Sequence, residues 1–476
     1  MSSRMSTADA AWLHMDRPSN LMVINSVLLF DEPIDVARVT EVIGERLVHR
    51  YPRFRQRVVE SDWPLLPPRW EADPDFALEH HVHHRALPAP GDRAALEELV
   101  GDLMTMPLDR NRPLWHTYIV DGYGDGAAIV TRMHHCIADG IALARVMLSL
   151  TDDRPDAATD AGIAPPEPER GGSPARRLVA GTARTAAGAA RRGAHAMVSP
   201  AYAAGLAGAV GRDAATLVRL LLTPADAATA IKGEPRISRH VAWSSALSLA
   251  EIKEIAHRHD ATVNDVLLAA VSGALRHYLQ DHGSAVAELQ AMVPFNLRPL
   301  DEPLPRDLGN RFGLVFLPLP VGTSGSYRRL LEVHKRMREI KDGRDGAVSY
   351  EVLSLTGLAP ERIERRIVDL FSAKATAVMT DVPGPAQPVY LAGVPVRTVL
   401  VWAPTSGHIG MSVSIFSYRG EVTVGLMVDA ALVPDPDQIV RRLEHELELL
   451  AQFDAHGRRR SARRKPASRR RDVVRR

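Results

Sequence analysis

His134-His135-Cys136-Ile137-Ala138-Asp139-Gly140 is the stretch that decides the reading of this chain. The residues before it, Ala127–Met133, are apolar and β-prone, and those after it, Ile141–Leu150, carry a helical pattern. The heptapeptide therefore sits where a strand hands over to a helix, a place where reactive side chains are often presented. Trp115–Val120 reads as the partner strand, joined to the first by the turn-rich Asp121-Gly122-Tyr123-Gly124-Asp125-Gly126.

Three chemistries fit His134, His135 and Asp139. They can be plain structure, with hydrogen-bonded core histidines and Asp139 capping the helix. They can share a metal ion, but adjacent histidines point apart on an extended chain and one carboxylate adds little, so no metal is expected. They can supply a general base: a hydroxyl attacks a thioester slowly unless its proton is removed during attack, and an imidazole suits that task near neutrality. Cys136, the single cysteine of the chain, excludes an intramolecular disulfide, and beside two histidines it also offers a candidate nucleophile.

Outward from this point the chain reads as two α/β blocks, each mixing helices and strands. The first covers 1–150, with an apolar run at Met22–Phe30, a helix from Val36 and another over Ala94–Leu103. Residues 151–236 form a Pro/Ala/Arg-rich linker and helical crossover. The second block, 237–456, holds a helix over Asn264–Leu279 and strands at Ala291–Val293 and Phe312–Pro318. Val422, Val424, Leu426 and Val428 alternate, which predicts a strand with one buried face. Asp435 is the expected cap of a last helix that buries Ile439, Leu443, Leu447 and Leu450. With 476 residues, two domains are the expectation.

The net charge of +2 conceals an asymmetry. Residues 458–476 carry eleven Arg or Lys and one acid, so a basic, disordered tail at 457–476 follows a body that is net acidic. A second stretch, 174–212, has no acid and includes Arg177, Arg184 and Arg191 at heptad spacing. No signal peptide and no spanning apolar run are visible, so a cytoplasmic protein with peripheral lipid contact is expected. The tail comes with no nucleic-acid-binding motif, so no nucleic-acid partner is expected.

Beyond the heptapeptide, further segments fall in an order that resembles the bacterial wax ester synthase/diacylglycerol acyltransferase family. That family lies within the wider group of chloramphenicol acetyltransferase and peptide-synthetase condensation domains. The segments are Ala8-Asp9-Ala10-Ala11-Trp12-Leu13, Arg112-Pro113-Leu114-Trp115, Thr262 to Ala269, Met292-Val293-Pro294 with Leu297-Arg298, Gly309-Asn310, and Val382-Pro383-Gly384-Pro385. Four positions depart from the pattern: His116 where an acid is common, Thr380-Asp381 where Ser-Asn is common, and Ser414 where an asparagine is expected. They bear on the acceptor more than on the reaction.

The resemblance implies two chloramphenicol-acetyltransferase-like halves with an active-site tunnel between them. It implies an acyltransferase that moves a long-chain acyl group from coenzyme A, a substrate and not a cofactor, to diacylglycerol or a fatty alcohol. A relative acting on a carrier-protein thioester is the alternative. His135 is then the base and His134 its support. Asp139 is expected to pair with an arginine, Arg55 before Arg57 or Arg298, and Gly140 to permit a tight turn. Asn264 and Asp265 are implied to support the site, against the plainer reading of Asn264 or Thr262 as a helix cap. Trp115, Pro383 and Gly384 are implied to line the tunnel, and an anionic membrane or lipid-body surface is an expected partner.

Overall fold

The computed structural model describes residues 2–61, 66–157, 223–296, 305–341 and 361–453. The N-terminal half begins with helix α1 (Thr7–His14), capped by the Ser6 side chain, and continues with strands β1 (Val23–Phe30), β2 (Val82–Ala86), β3 (Trp115–Tyr123) and β4 (Gly126–His134). Helix α2 (Gly140–Leu148) follows directly, with Asp139 as its cap residue, so the predicted strand-to-helix junction is present. The turn-rich linker closes β3 onto β4 as an antiparallel hairpin.

The C-terminal half contains β5 (Arg239–Trp243), α3 (Val263–Asp281), β6 (Leu289–Asn296), β7 (Phe312–Leu319), α4 (Glu361–Ser372), β8 (Ala377–Pro383), β9 (Thr398–Trp402), β10 (Met411–Tyr418), β11 (Glu421–Asp429) and α5 (Pro436–Ala451). Its sheet runs β7-β6-β8-β10-β11-β5, with β8 parallel to both of its neighbours and the other pairs antiparallel. Helices α3 and α5 cover one face, and Ile439, Leu443, Leu447 and Leu450 are buried there as their spacing predicts. Asp435 stands at the cap position of α5, but its carboxylate accepts the Tyr278 hydroxyl at 2.6 Å and makes no capping bond.

The halves are not separate along the chain. Strand β9 leaves the C-terminal half and pairs antiparallel with β1, giving an N-terminal sheet ordered β9-β1-β4-β3-β2. The boundary of 237–456 for the second half is therefore crossed by one strand. The two sheets are joined by a shared core in which Val27, Leu29 and Val130 meet Val241, Trp243, Leu400, Trp402 and Met427. This corrects the expectation for β11. Every residue from Val422 to Asp429 is buried, because Val422, Val424, Leu426 and Val428 face α3 and α5 while Met427, on the other face, packs toward the N-terminal sheet. The crossover, with the acid-free stretch 174–212, and the basic tail lie outside the described residues, apart from the crossover's ends.

Candidate active site

His134 is the last residue of β4, and its backbone is held by Leu114 O at 2.9 Å. Its Nδ1 accepts the Cys136 amide at 3.1 Å, which leaves the proton on Nε2, facing Asp16 Oδ2 at 3.9 Å. Burial lifts the Asp16 carboxyl, but His134, the Met22 amide at 2.7 Å and Arg110 outweigh it and hold the acid below its ordinary value. His134 is thus held through Nδ1, with Asp16 facing Nε2 beyond hydrogen-bond distance, and supports the backbone that carries the next residue.

His135 turns the other way, into the space between the halves. Its ring packs against Trp12 of α1, with centroids 4.1 Å apart, and against Phe312 of β7, at 5.4 Å, and these two rings also meet each other at 5.6 Å. Burial among these rings drives its pKa down to about 3, so the imidazole is neutral. Nδ1 is sealed from solvent beside the residue's own carbonyl, without a full hydrogen bond, and the ring forms part of a cavity wall. Nε2 is the nitrogen left for a ligand.

The backbone of His135 is tied by two long-range bonds. Its amide donates to Met22 O at 2.7 Å, and its carbonyl accepts from Asn310 Nδ2 at 2.8 Å. Asn310 also donates to Asp9 Oδ1 from its side chain at 2.7 Å and from its backbone at 3.0 Å. Burial raises the pKa of Asp9, opposed by these bonds and by Ser6. The segment before β7 runs parallel to the motif, with Gly309 N donating to Ile137 O at 3.1 Å. Gly309 has φ +94°, a backbone few other residues adopt, and that turn delivers Asn310.

Among the described residues no arginine forms the expected ion pair with Asp139. Its carboxylate accepts the Ala142 amide at 2.8 Å and the Arg311 backbone amide at 3.1 Å, so the buried charge is met by main-chain donors. Arg55 is exposed and Arg57 half-buried, and neither pairs with it, while Arg298 lies outside the described residues. The buried arginine of this region is Arg53, which lies over the Trp70 ring and donates to Asp307 O at 3.2 Å. Gly140 is not a tight turn either. Its φ is ordinary and a Cβ there would meet nothing within 4 Å, because the residue borders the cavity.

The cavity occupies about 1300 Å³ including its open mouth and is mostly apolar. Trp12 of α1 and Met15, just past its end, line it, with Met292, Pro294, Leu314 and Phe316 from β6 and β7, and Ile367, Val368 and Phe371 from α4. Thr380 and Asp381 of β8 are at its wall, so this departure from the family pattern does face the cavity. Asp381 is solvent-accessible, yet the crowding walls raise its pKa against a hydrogen bond from Asn264.

Other expected tunnel residues are elsewhere. Trp115 is fully buried in the N-terminal core, donating Nε1 to Phe54 O at 3.0 Å. Gly384 packs against β10, where a Cβ would fall 2.5 Å from the Phe416 ring, and Pro383 ends β8 beyond the cavity wall. His116 bonds His83 at 2.9 Å and Ser414 is buried under the sheet, both away from the cavity. Thr262 caps α3 in a reciprocal box with Asp265, and Asp265 also accepts from His334 at 2.8 Å, which is a structural use. Asn264 instead hydrogen-bonds Asp381, which lines the cavity. The residues missed as site members, Asp9, Trp12 and Asn310, all lay in segments that carried the family resemblance. Among the described residues no group of acids, histidines or cysteine is arranged to hold a metal ion.

The chain is similar to known proteins over most of its length. The model of the wax ester synthase/diacylglycerol acyltransferase catalytic domain matches residues 5–267, and that of the C-terminal domain of the same family matches 308–451. A Mycobacterium tuberculosis protein named as a probable diacylglycerol O-acyltransferase, tgs1, is 30% identical over 457 residues, covering 93% of this chain and 94% of its own. The solved wax ester synthase/diacylglycerol acyltransferase of Marinobacter aquaeolei VT8 superposes with a TM-score of 0.65 at 22% identity, covering 94% of this chain and 98% of that one. The first condensation domain of the calcium-dependent antibiotic synthetase superposes at 0.60 with 16% identity, covering 96% and 97%, and shares the fold.

Proposed function

From its membership of the wax ester synthase/diacylglycerol acyltransferase family, to which this chain belongs as an acyltransferase, we propose that it transfers a long-chain acyl group from coenzyme A to the hydroxyl of diacylglycerol or a long-chain alcohol. The observation that carries the reading is a neutral, solvent-shielded imidazole, His135, facing an apolar cavity with room for hydrocarbon.

In this reading His135 Nε2 removes the hydroxyl proton as the oxygen attacks the thioester carbonyl carbon. The tetrahedral adduct collapses, the C–S bond breaks, and the imidazolium returns its proton to the departing thiolate. An imidazolium is costly among Trp12 and Phe312, but it forms together with the oxyanion that neutralises it. The same apolar walls keep water from competing as acceptor. Cys136 takes no covalent part: it is buried, and burial raises its thiol well above the ordinary value.

No helix among the described residues is long and apolar enough to cross a membrane. The acceptor is insoluble, so we place the reaction at a lipid surface reached peripherally. Incubation with palmitoyl-CoA and either dioleoylglycerol or hexadecanol tests the proposal, with coenzyme A release and ester product both followed. Release of coenzyme A without either ester would refute it.

A further inference from the structure

Next to the cavity mouth lies an open groove into which three arginines enter from three separate parts of the chain. Arg17 comes from the turn after α1, Arg236 from the approach to β5, and Arg365 from α4. Its walls continue into the catalytic cavity. Met15 lines the cavity and Asp16 the groove, and α4 contributes Arg365 to one and Ile367, Val368 and Phe371 to the other. A small pocket beside them shares Pro18 and Ile237 with the groove and Pro404 with the cavity.

Three arginines and one acid, Asp16, line the groove. Asp16 is occupied by Met22, His134 and Arg110, and Arg17 is steadied by Asp369 at 3.0 Å. The Arg236 side chain has no ion pair among the described residues, although its backbone is anchored on Asp429. Ile237, 54% exposed, offers a flat apolar surface beside these cations.

Coenzyme A has this shape of demand. Its phosphates and adenine are at one end, its reacting sulfur is at the other, and a slender arm joins them. We propose that the groove binds the 3′-phosphoadenosine diphosphate end of the acyl donor through Arg17, Arg236 and Arg365, with the arm passing between the halves to His135. The inference rests on the acyl-CoA reading above. Multidentate arginine–phosphate contacts are the usual means of holding such a group.

The test compares two donors with the same acyl group, palmitoyl-CoA and palmitoyl-N-acetylcysteamine, which has no nucleotide. Arg236→Glu and Arg365→Glu should each lower kcat/KM for palmitoyl-CoA relative to the short thioester by about tenfold, the size of one charge-assisted contact. 3′,5′-Adenosine diphosphate should bind the wild type, compete with palmitoyl-CoA and bind each variant more weakly. An unchanged donor ratio, or no nucleotide binding by the wild type, overturns the assignment. So does loss of phosphatidylglycerol-vesicle binding with an unchanged ratio, which would make the groove a headgroup site. If the wild type turned over neither thioester, the acyltransfer reading itself would fail. Should a variant be inactive with both donors, nucleotide binding by Arg236→Gln decides the matter.

Discussion

The indole of Trp12 lies nearly flat on the imidazole of His135, with centroids 4.1 Å apart and planes 20° from parallel. A residue of the first helix thus sets both the orientation and the dryness of a base more than a hundred positions away. Trp12→Phe should keep most activity. Trp12→Ala should lose about 10²-fold in kcat, since small misplacements of a reacting group are that costly. Water entering the gap should also move the acidic limb of the rate profile up toward an ordinary histidine. A Trp12→Ala profile that overlays the wild type would show that the stacking is incidental.

His135→Ala should retain acyl-CoA binding and lose about 10²–10⁴-fold in turnover. For the wild type, kcat/KM reports the free enzyme, in which burial lowers the His135 pKa to about 3. Activity should therefore not decline as pH falls from 7.5 to 5.5. A fall centred near 6.5 would contradict the buried neutral base.

Asn310 links the His135 carbonyl to the Asp9 carboxylate, and removing it leaves a buried acid short of donors. Asn310→Ala should cost about 1–3 kcal/mol of stability and lower kcat more than it raises KM. Because the three residues act as one unit, Asp9→Ala combined with Asn310→Ala should be scarcely worse than Asn310→Ala alone. Additive losses in denaturant titration and in kcat would break the link.

Cys136→Ala should remain active, with only a small packing loss. Labelled palmitoyl-CoA without acceptor should leave no label on the protein. Detection of a thioester at Cys136 by mass spectrometry would require a two-step mechanism instead.

Burial, with His83 beside it, lowers the His116 pKa to about 3, as burial, with His134 beside it, does for His135. Between the unfolded value near 6.5 and this folded value, the unfolded chain holds the proton and the native one does not. Stability should therefore fall as pH falls through that window. His116→Phe removes one such group, and its melting temperature should decline less steeply than that of the wild type between pH 6.5 and 4.5. Parallel declines would remove His116 from the account.

Much of this was legible because it is local. The β4–α2 junction and the apolar face of α5 follow from short-range pattern alone. What was not legible came from afar. Asp139 needed a partner for its charge, and Arg55 was the expected one, but the amide of Arg311 arrives only when β7 is laid beside the motif. Similarly, alternation in β11 implied a solvent face, and no local signal says that the other half of the molecule covers it. Gly140 looked like a backbone requirement and is instead a missing side chain at the cavity edge.

Strand β9 has a consequence for how the chain is made. All eight residues of β1 are buried, and one of its edges is closed only when Thr398–Trp402 arrives. During synthesis, a nascent chain lacking those residues presents an unpaired apolar edge, the kind of template on which chains aggregate. A fragment ending after the first half should therefore be insoluble when expressed alone. Co-expression with a fragment containing 398–402 should recover it, the two pieces meeting as a split protein.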